Sequence, residues 1–388
     1  MDFFDFNKRV KNAKSSPIRQ FSEKISSIED ILMLTLGQPD FHAPELVHAE
    51  AIKTINDKKD AYTSSNGLAE LREAISSYVK RRYNLTYDAE KEILVTHGAT
   101  GALFSSLFAL LNPGDKVLVP SPYYPVYKTQ IEMAQAEIVL ADVSDTDFIL
   151  TGERFLKYYE ANPEIKVVLL NYPSNPTGVT YSKEALKNLA DVIAQKDVVV
   201  ISDEIYAELT YGAPHTSIAS YLFDQTIVIN GLSKSHAMTG WRMGFITGPE
   251  LFINEIAKVS QATINTPNTM AQYASIMAYG EENDAVVKQM KAEYKNRRDY
   301  LIEELHKLGY STSDPAGAFY LFIKVPDWYT ASDEAFCLAL AHEAKIGVIP
   351  GSAFGEAGNG YFRLSYAASQ EDLTEFIKRI KRFTEEKQ

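Results

Sequence analysis

One lysine and one arginine stand close together in a stretch rich in small residues. Lys234 follows the apolar run 226–230, which predicts a buried strand, and Arg242 follows eight residues later. Desolvation at a strand end favours the neutral lysine amine, which condenses with carbonyl groups to form Schiff bases. A guanidinium binds phosphate or carboxylate. The pair suits an aldehyde cofactor with a phosphate, although a solvated loop lysine and a surface arginine would also explain these two residues taken alone.

Apolar segments that predict short strands alternate with helical segments along the middle of the chain. The predicted strands are 31–36, 92–97, 116–120, 167–170, 198–201 and 226–229, and the predicted helices 44–57, 68–83, 102–111 and 183–195. This alternation is typical of an α/β fold with a mostly parallel, doubly wound sheet and right-handed crossovers. In such sheets, ligands bind beyond the carboxyl ends of the strands.

Several polar and aromatic residues directly follow the predicted strands and are therefore expected at one edge of the sheet. They are the small-residue turn 98–101, Tyr123, Tyr124, Asn175, Asp203, Tyr206 and Lys234. A turn that opens a helix presents free N–H groups, which suit a phosphate. Core packing of tyrosines and steric demands of turns would explain single members of this set. Their common position favours a ligand site.

The residue types at this edge suit pyridoxal phosphate. Asp203 can face the protonated pyridine nitrogen, which keeps the ring an electron sink. Asn175 and Tyr206 can donate hydrogen bonds to the ring phenolate, and Tyr124 can stack on the ring. Lys234 can form the Schiff base and, once a substrate amine displaces it, move the α-proton as general acid and base.

The C-terminal part of the chain predicts a second, smaller α+β unit. After residue 248 the predicted helices are 249–260, 267–280, 284–308, 332–344 and 371–385, and the predicted strands are 319–325, 347–349 and 361–365. We expect a large cofactor-binding domain at 46–284, a small domain at 285–388, and an N-terminal arm at 1–45 that joins the small domain. Arg363 lies inside an apolar strand and needs a partner, either a substrate carboxylate or a carboxylate of the protein.

Length and composition exclude several classes of function. The 388 residues, 45% of them hydrophobic, suffice for roughly two domains. A formal net charge of -12 argues against a nucleic-acid partner. One cysteine excludes an internal disulfide, and the seven histidines lack zinc-site spacing, so no metal is expected. The chain shows neither a signal peptide nor a membrane span, which predicts a cytoplasmic protein without a membrane partner.

The ordered set of motifs resembles the fold-type I pyridoxal-phosphate aminotransferases of class I/II, the aspartate and aromatic aminotransferase family. The resemblance runs nearly end to end. It is carried by the Gly-Gln-Pro-Asp-Phe run that begins at Gly37, the Asn-Pro-Thr-Gly run that begins at Asn175, Asp203 with Tyr206, the lysine attachment segment 231–244, and Arg363. The attachment segment is highly specific, and the ordered set is more so.

The resemblance implies the roles of the site residues. The catalytic residues would be Lys234, Asp203 and Tyr206. The cofactor would be bound by Gly98, Ala99, Thr100, Tyr124, Asn175, Asp203, Tyr206, Ser233, Lys234 and Arg242, and by Tyr62 of a neighbouring subunit, which implies a homodimer with shared sites. The substrate would meet Gly37, Asn175, Arg363, Ile18 and Phe319. Gly231 stands where some members carry a phosphate-binding serine, and Ser233 is the candidate replacement.

Substrate choice rests on the expected side-chain pocket. Ile18, Tyr124 and Phe319 would give it an apolar lining, and no stretch matches the second arginine that mammalian-type aspartate aminotransferases use for a distal carboxylate. The chain looks most like bacterial aromatic aminotransferases, with 2-oxoglutarate as acceptor. The alternatives are an aspartate or N-acetyl-diaminopimelate aminotransferase, or a C–S β-lyase built on the same lysine. A non-catalytic sensor would need an additional DNA-binding segment.

Overall fold

A computed structural model describes residues 6–7, 10–11 and 16–388. Within these residues the chain forms twelve strands and thirteen α-helices. The strands are β1 (Leu32–Met33), β2 (Ile93–Thr96), β3 (Lys116–Ser121), β4 (Glu137–Asp142), β5 (Ile165–Asn171), β6 (Val199–Asp203), β7 (Thr226–Gly231), β8 (Gly244–Thr247), β9 (Tyr320–Lys324), β10 (Ile346–Gly347), β11 (Ile349–Pro350) and β12 (Tyr361–Ser365). The helices are α1 (Pro17–Ile25), α2 (Glu45–Asn56), α3 (Ala69–Tyr83), α4 (Gly98–Leu110), α5 (Val126–Met133), α6 (Gly152–Ala161), α7 (Lys183–Ile193), α8 (Leu232–Ser235), α9 (Glu250–Ile264), α10 (Thr269–Ala278), α11 (Asp284–Lys307), α12 (Asp333–Glu343) and α13 (Gln370–Lys387).

The largest sheet has seven strands in the order β2-β8-β7-β6-β5-β3-β4. Strands β3 to β7 pair in parallel, whereas β8 lies antiparallel between β7 and β2. This confirms the predicted α/β fold with a mostly parallel sheet. Because β8 runs in the opposite direction, its amino end lies at the same sheet edge as the carboxyl ends of β2, β3, β5, β6 and β7.

Helices cover both faces of this sheet, and the central strands are apolar on both faces for that reason. In β5, Val167 and Leu169 pack on the side of α4, α5 and α9, while Val168 and Leu170 pack on the side of α6 and α7. The two alternating sets of side chains fix the register of the strand. The polar edge of the sheet is thus held in place by two apolar layers.

A second core lies around a three-stranded antiparallel sheet in the order β11-β12-β9. Helices α11, α12 and α13 pack on it, and α1 joins it through Phe21 and Ile25. Strand β1 pairs in parallel with β10, which ties the N-terminal segment to this core. The boundaries proposed at 45/46 and 284/285 remain a prediction.

Three predicted elements differ from the observed ones. The strand predicted at 31–36 is only the two-residue β1, since it has a single short partner. The turn predicted at 98–101 is already the first turn of α4. The strand predicted at 347–349 is divided between β10 and β11, which pair with different strands.

The sequence patterns also missed two strands of the large sheet. β4 is an edge strand with mostly exposed or half-buried residues, so it lacks a continuous apolar run. β8 is only four residues long and begins with glycine. Among residues 16–388, no helix combines the length and the apolar character needed to cross a bilayer.

Candidate active site

A cavity of about 260 Å³ lies where the carboxyl ends of the parallel strands meet the second core. Its walls come from the ends of β5 and β6, from the segments that follow β1, β3, β5 and β6, and from the segment before β8. Helices α1, α4, α5 and α8 and strands β9 and β12 supply the rest. The predicted site residues that line it are Ile18, Gly37, Ala99, Thr100, Tyr124, Asn175, Asp203, Tyr206, Ser233, Lys234, Arg242 and Arg363. The volume is slightly below the range of roughly 300–1,000 Å³ that is typical of small-molecule sites. The carboxyl ends of β5, β6 and β7 bring Asn175, Asp203 and Lys234 to one place, while Ile18, Gly37 and Arg363 come from elements of the second core.

Lys234 lies in α8, directly after the buried strand β7. Its Nζ atom donates a hydrogen bond of 2.6 Å to the carbonyl oxygen of Gly37. Burial, aided by the positive charges of Arg242 and Arg363, lowers the pKa of Lys234 from 10.5 to about 8. A substantial fraction of the amine is then neutral near physiological pH and able to attack a carbonyl carbon.

Asp203 is the last residue of β6, and its carboxylate is buried. The hydroxyl of Tyr127 donates a hydrogen bond of 2.7 Å to Oδ2. Burial raises the pKa of Asp203 to about 6, although the hydrogen bond from Tyr127 opposes the shift. The carboxylate is still mainly ionised at neutral pH. A buried anion without a cation in hydrogen-bonding contact suits a protonated ring nitrogen.

The start of α4 and the Arg242 guanidinium form a cradle for an anion. Arg242 adopts a left-handed backbone conformation, with φ of 56°, and its Nη1 atom donates to the carbonyl oxygen of Thr239 at 2.8 Å. A Cβ atom on Gly98 would lie 2.6 Å from Nη2 of Arg242. Glycine at this position thus lets the guanidinium approach the N–H groups of Ala99 and Thr100, an arrangement that suits a phosphate.

The departure at Gly231 has a steric explanation. A Cβ atom there would lie 2.7 Å from the carbonyl oxygen of Met243 and 2.8 Å from the Cα atom of Gly244. A serine would not fit this backbone without a shift of β8. Ser233, two residues further on, is buried and lines the cavity.

Arg363 lies fully buried in β12 and has no carboxylate partner among residues 16–388. Its Nη1 atom donates to Oδ1 of Asn175 at 2.8 Å, and Nη2 donates to the carbonyl oxygen of Thr35 at 2.6 Å. The Nε atom is buried without a hydrogen-bond partner in the described chain. Within residues 16–388, the partners of Arg363 are thus an amide oxygen and a backbone carbonyl rather than a carboxylate. An unpaired buried cation in a cavity suits an anionic ligand.

Tyr206 also lies at the cavity, in the segment after β6. Its hydroxyl forms a hydrogen bond of 2.8 Å with the hydroxyl of Tyr320. The Tyr320 ring in turn lies 4.4 Å from the guanidinium carbon of Arg363, a distance typical of a cation–π contact. The tyrosine pair thus connects the two sides of the cavity.

Three predicted residues lie elsewhere. Phe319 does not line the cavity: it is fully buried beneath the ring of Tyr206, at a centroid distance of 5.5 Å, and the next residue, Tyr320, lines the wall instead. Tyr123 points into the protein next to Gly355. Tyr62 lies outside the cavity and is 82% exposed. Gly98 contributes by the space it leaves rather than as a lining residue.

The lining residues that the sequence patterns did not identify include Arg19, Thr35, Tyr127 and Tyr320. Tyr127 is the second residue of α5, and from there its hydroxyl reaches Asp203. For Arg19, the only sequence indication of a position at the cavity is that its neighbour Ile18 is a predicted pocket residue.

These features fit one kind of ligand: an aldehyde near Lys234, a phosphate at Arg242, a ring nitrogen at Asp203, and a carboxylate at Arg363. Together they define a pyridoxal-phosphate enzyme that acts on amino acids. When bound, this cofactor withdraws electrons from the α-carbon of the substrate and so makes its proton acidic.

Comparison with known proteins identifies the family. The family described as "Aminotransferase class I and II" matches residues 29–380. The chain belongs to this family, and it is a transaminase whose cofactor is pyridoxal phosphate. A relative from Bacillus subtilis (strain 168), named probable N-acetyl-LL-diaminopimelate aminotransferase, is 42% identical and aligns over 97% of this chain and 95% of its own.

Two further similar proteins carry other names. Aromatic-amino-acid aminotransferase 2 of Thermococcus litoralis is 34% identical over 98% of both chains. The solved structure of Thermus thermophilus aspartate aminotransferase with maleate is 34% identical and matches with a TM-score of 0.92, covering 98% of this chain and 100% of that one. The relatives therefore agree on the reaction class and differ in the named substrate.

Proposed function

We propose that this aminotransferase takes the amino group from an L-amino acid with an aromatic side chain and passes it to a 2-oxo acid such as 2-oxoglutarate. The carrying observation is the apolar and aromatic wall of the cavity, formed by Ile18, Leu36, Tyr124 and Tyr320. An aromatic side chain would bury most of its surface there. The Thermococcus relative named for aromatic amino acids supports the same choice.

The residues of the cavity have separate tasks in this reaction. Arg363 binds the α-carboxylate through its free Nε–H and an Nη–H, and Asn175 holds the guanidinium in place. This contact turns the α-carbon towards Lys234. The freed Lys234 amine then removes the α-proton and returns it at the next step, which its lowered pKa favours near neutral pH.

The remaining contacts hold the cofactor. Lys234 would bond to its aldehyde carbon, and Asp203 would hold the proton on its ring nitrogen. Arg242, Ser233 and the N–H groups at the start of α4 would bind the phosphate. Tyr124 and Tyr206 would contact the ring.

An aspartate aminotransferase is the second candidate. The cavity contains a further cation, Arg19, which an aromatic substrate would not need. The similar Thermus structure is named an aspartate aminotransferase and contains maleate, a dicarboxylate.

The visible absorption spectrum of the holoenzyme distinguishes the candidates. L-Phenylalanine and then L-aspartate are added without an acceptor, and the loss of the yellow band is recorded. We expect a response to phenylalanine at micromolar to low-millimolar concentration. A response to aspartate alone would contradict the aromatic proposal. No response to either, with pyruvate and ammonia released from cystathionine, would support a C–S β-lyase instead.

We also propose that the enzyme is a homodimer whose sites are shared between subunits. Tyr62 is 82% exposed, and other large apolar side chains, Leu36 and Leu251, are 68% and 72% exposed. A second copy that covers these side chains would remove apolar surface from water. Sedimentation velocity tests this proposal, and a monomer at micromolar concentration would contradict it.

A further inference from the structure

The cavity is lined by more positively than negatively charged side chains. Its walls contain the four cations Arg19, Lys234, Arg242 and Arg363, and a single carboxylate, Asp203. In the proposed function Lys234 and Arg242 hold the cofactor, and Asp203 faces its ring nitrogen. Arg363 binds the substrate α-carboxylate. Arg19 is the one charged group of the cavity left without a task.

Arg19 is also without a partner among the residues that the structure describes. It is exposed, and no side-chain hydrogen bond or ion pair joins it to any residue of the described chain. Its positive charge nevertheless affects the pKa of the same hydroxyl, that of Tyr124, as the charges of Arg242 and Arg363 do. Burial raises the pKa of the Tyr124 hydroxyl, while the positive charges of Arg363, Arg19 and Arg242 lower it. The three arginines and Tyr124 all line the same cavity.

Arg19 and Arg363 are carried by elements that share one core. Phe21 and Ile25 of α1 are buried in the same apolar cluster as Phe362 and Leu364 of β12. The separation between the two arginines is therefore set by side-chain packing within this core rather than by a loop. Two cations held at a defined separation select dianionic ligands of matching length.

We propose that Arg19 binds the distal carboxylate of a dicarboxylate substrate, such as 2-oxoglutarate and the amino acid formed from it. The inference rests on the proposed function, in which an aromatic donor and a dicarboxylate acceptor use the same cavity in turn. An aromatic side chain packs on Ile18 and Tyr124 and leaves the Arg19 guanidinium in water at the rim. A five-carbon dicarboxylate instead extends past these side chains to meet that guanidinium, which can bind a carboxylate in bidentate fashion.

The test compares two acceptors in the Arg19→Met variant. The holoenzyme is first converted to its amino form with excess of whichever amino acid bleaches the yellow band, and the donor is then removed. Return of the band is followed by stopped flow with 2-oxoglutarate or with pyruvate, which lacks the second carboxylate. We expect kcat/KM for 2-oxoglutarate to fall by about tenfold or more, through KM, because a charge-assisted carboxylate contact is lost. The value for pyruvate should stay within about twofold of wild type.

Lys24→Met is the matched control. Lys24 is a cation of the same helix that lies outside the cavity and pairs with Glu334 at 3.0 Å. Its removal should leave kcat/KM unchanged for both acceptors. Arg19→Lys should restore part of the 2-oxoglutarate rate, since a positive charge returns without the bidentate geometry. Far-ultraviolet circular dichroism checks that each variant is folded.

Equal losses for both acceptors in Arg19→Met, or no loss for either, would overturn the inference. These outcomes are distinct from a failure of the proposed function. If phenylalanine fails to bleach the band, the aromatic donor is wrong, yet the acceptor comparison can still be made with the donor that works.

Discussion

The hydroxyl groups of Tyr206 and Tyr320 lie 2.8 Å apart in a fully buried hydrogen bond. Tyr320 also packs its ring on the guanidinium of Arg363. A Cβ atom on Gly37 would overlap the Tyr320 hydroxyl, so glycine is required for the segment after β1 to pass at this distance. Tyr320, which the sequence patterns did not identify, therefore contacts three parts of the site. They are Tyr206, Arg363 and the segment after β1, where the Gly37 carbonyl accepts the Lys234 hydrogen bond.

The Tyr320→Phe variant should be folded but catalytically impaired. It leaves the buried Tyr206 hydroxyl with one partner fewer, which costs about 1–3 kcal/mol of folding stability. Because Tyr206 is then held less firmly at the ring, we expect kcat/KM to fall by about tenfold, or about 1.4 kcal/mol of transition-state stabilisation. The pH midpoint of the holoenzyme's visible band should shift as well, because Tyr206 is expected at the ring. Tyr361→Phe, at a tyrosine outside the cavity, is the control. An unchanged midpoint together with lowered thermal stability would show that Tyr320 acts in packing alone.

Lys234→Ala should retain the fold and lose turnover. Without the amine, no side chain of the cavity can move the α-proton with comparable geometry, and kcat should fall by about a thousandfold or more. A small primary amine added to the buffer should restore part of the activity. Lys258→Ala, which removes an exposed ion pair with Glu255, is the matched control. Substantial transamination by the Lys234→Ala variant without added amine would contradict the assignment of Lys234.

The lowered pKa of Lys234 predicts a pH effect on the stability of the cofactor-free protein. The amine loses its proton near pH 8 in the folded state and near 10.5 in the unfolded chain. Between these values the unfolded state binds more protons, so the free energy of unfolding should rise with pH. Below pH 8 the destabilising effect of the buried ammonium is present in full, at most about 3 kcal/mol. The measurement is the difference between wild type and Lys234→Met in urea unfolding from pH 7 to 10.5, and a flat difference would contradict the lowered pKa.

Much of the site could be predicted because it depends on the order of apolar strands. Asn175, Asp203 and Lys234 each follow a strand of one parallel sheet, so the topology alone brings them together. Arg242 reaches the same edge for a reason that the patterns missed, since it precedes the antiparallel strand β8.

The remaining residues depend on which way a side chain points. Neighbouring residues of extended chain face opposite sides, so a one-residue uncertainty exchanges Phe319 for Tyr320 and Tyr123 for Tyr124. No local pattern resolves such a choice. Arg19 was missed for a different reason: an arginine near a helix start is typical of a solvated surface, and only the fold of α1 onto the second core brings it to the cavity.

The position of Tyr62 predicts complementation between subunits. Because this side chain is 82% exposed and outside its own cavity, Tyr62→Ala should leave the stability of the subunit nearly unchanged while weakening cofactor binding by about tenfold through loss of a phosphate hydrogen bond. Thermal unfolding of the cofactor-free protein and a pyridoxal phosphate titration measure the two effects.

Mixing two defective variants separates a shared site from a contribution within one subunit. Lys234→Ala and Tyr62→Ala chains are unfolded together in urea and refolded, so that mixed dimers form. If Tyr62 acts across the interface, one site of each mixed dimer combines Lys234 of one chain with Tyr62 of the other and regains wild-type cofactor affinity. If Tyr62 acts within its own subunit, no mixed dimer contains an intact site, and activity at low cofactor concentration stays at the level of the separate variants. Since wild-type affinity can reappear only when two chains contribute to one cavity, that result would establish both the dimer and the sharing of its sites.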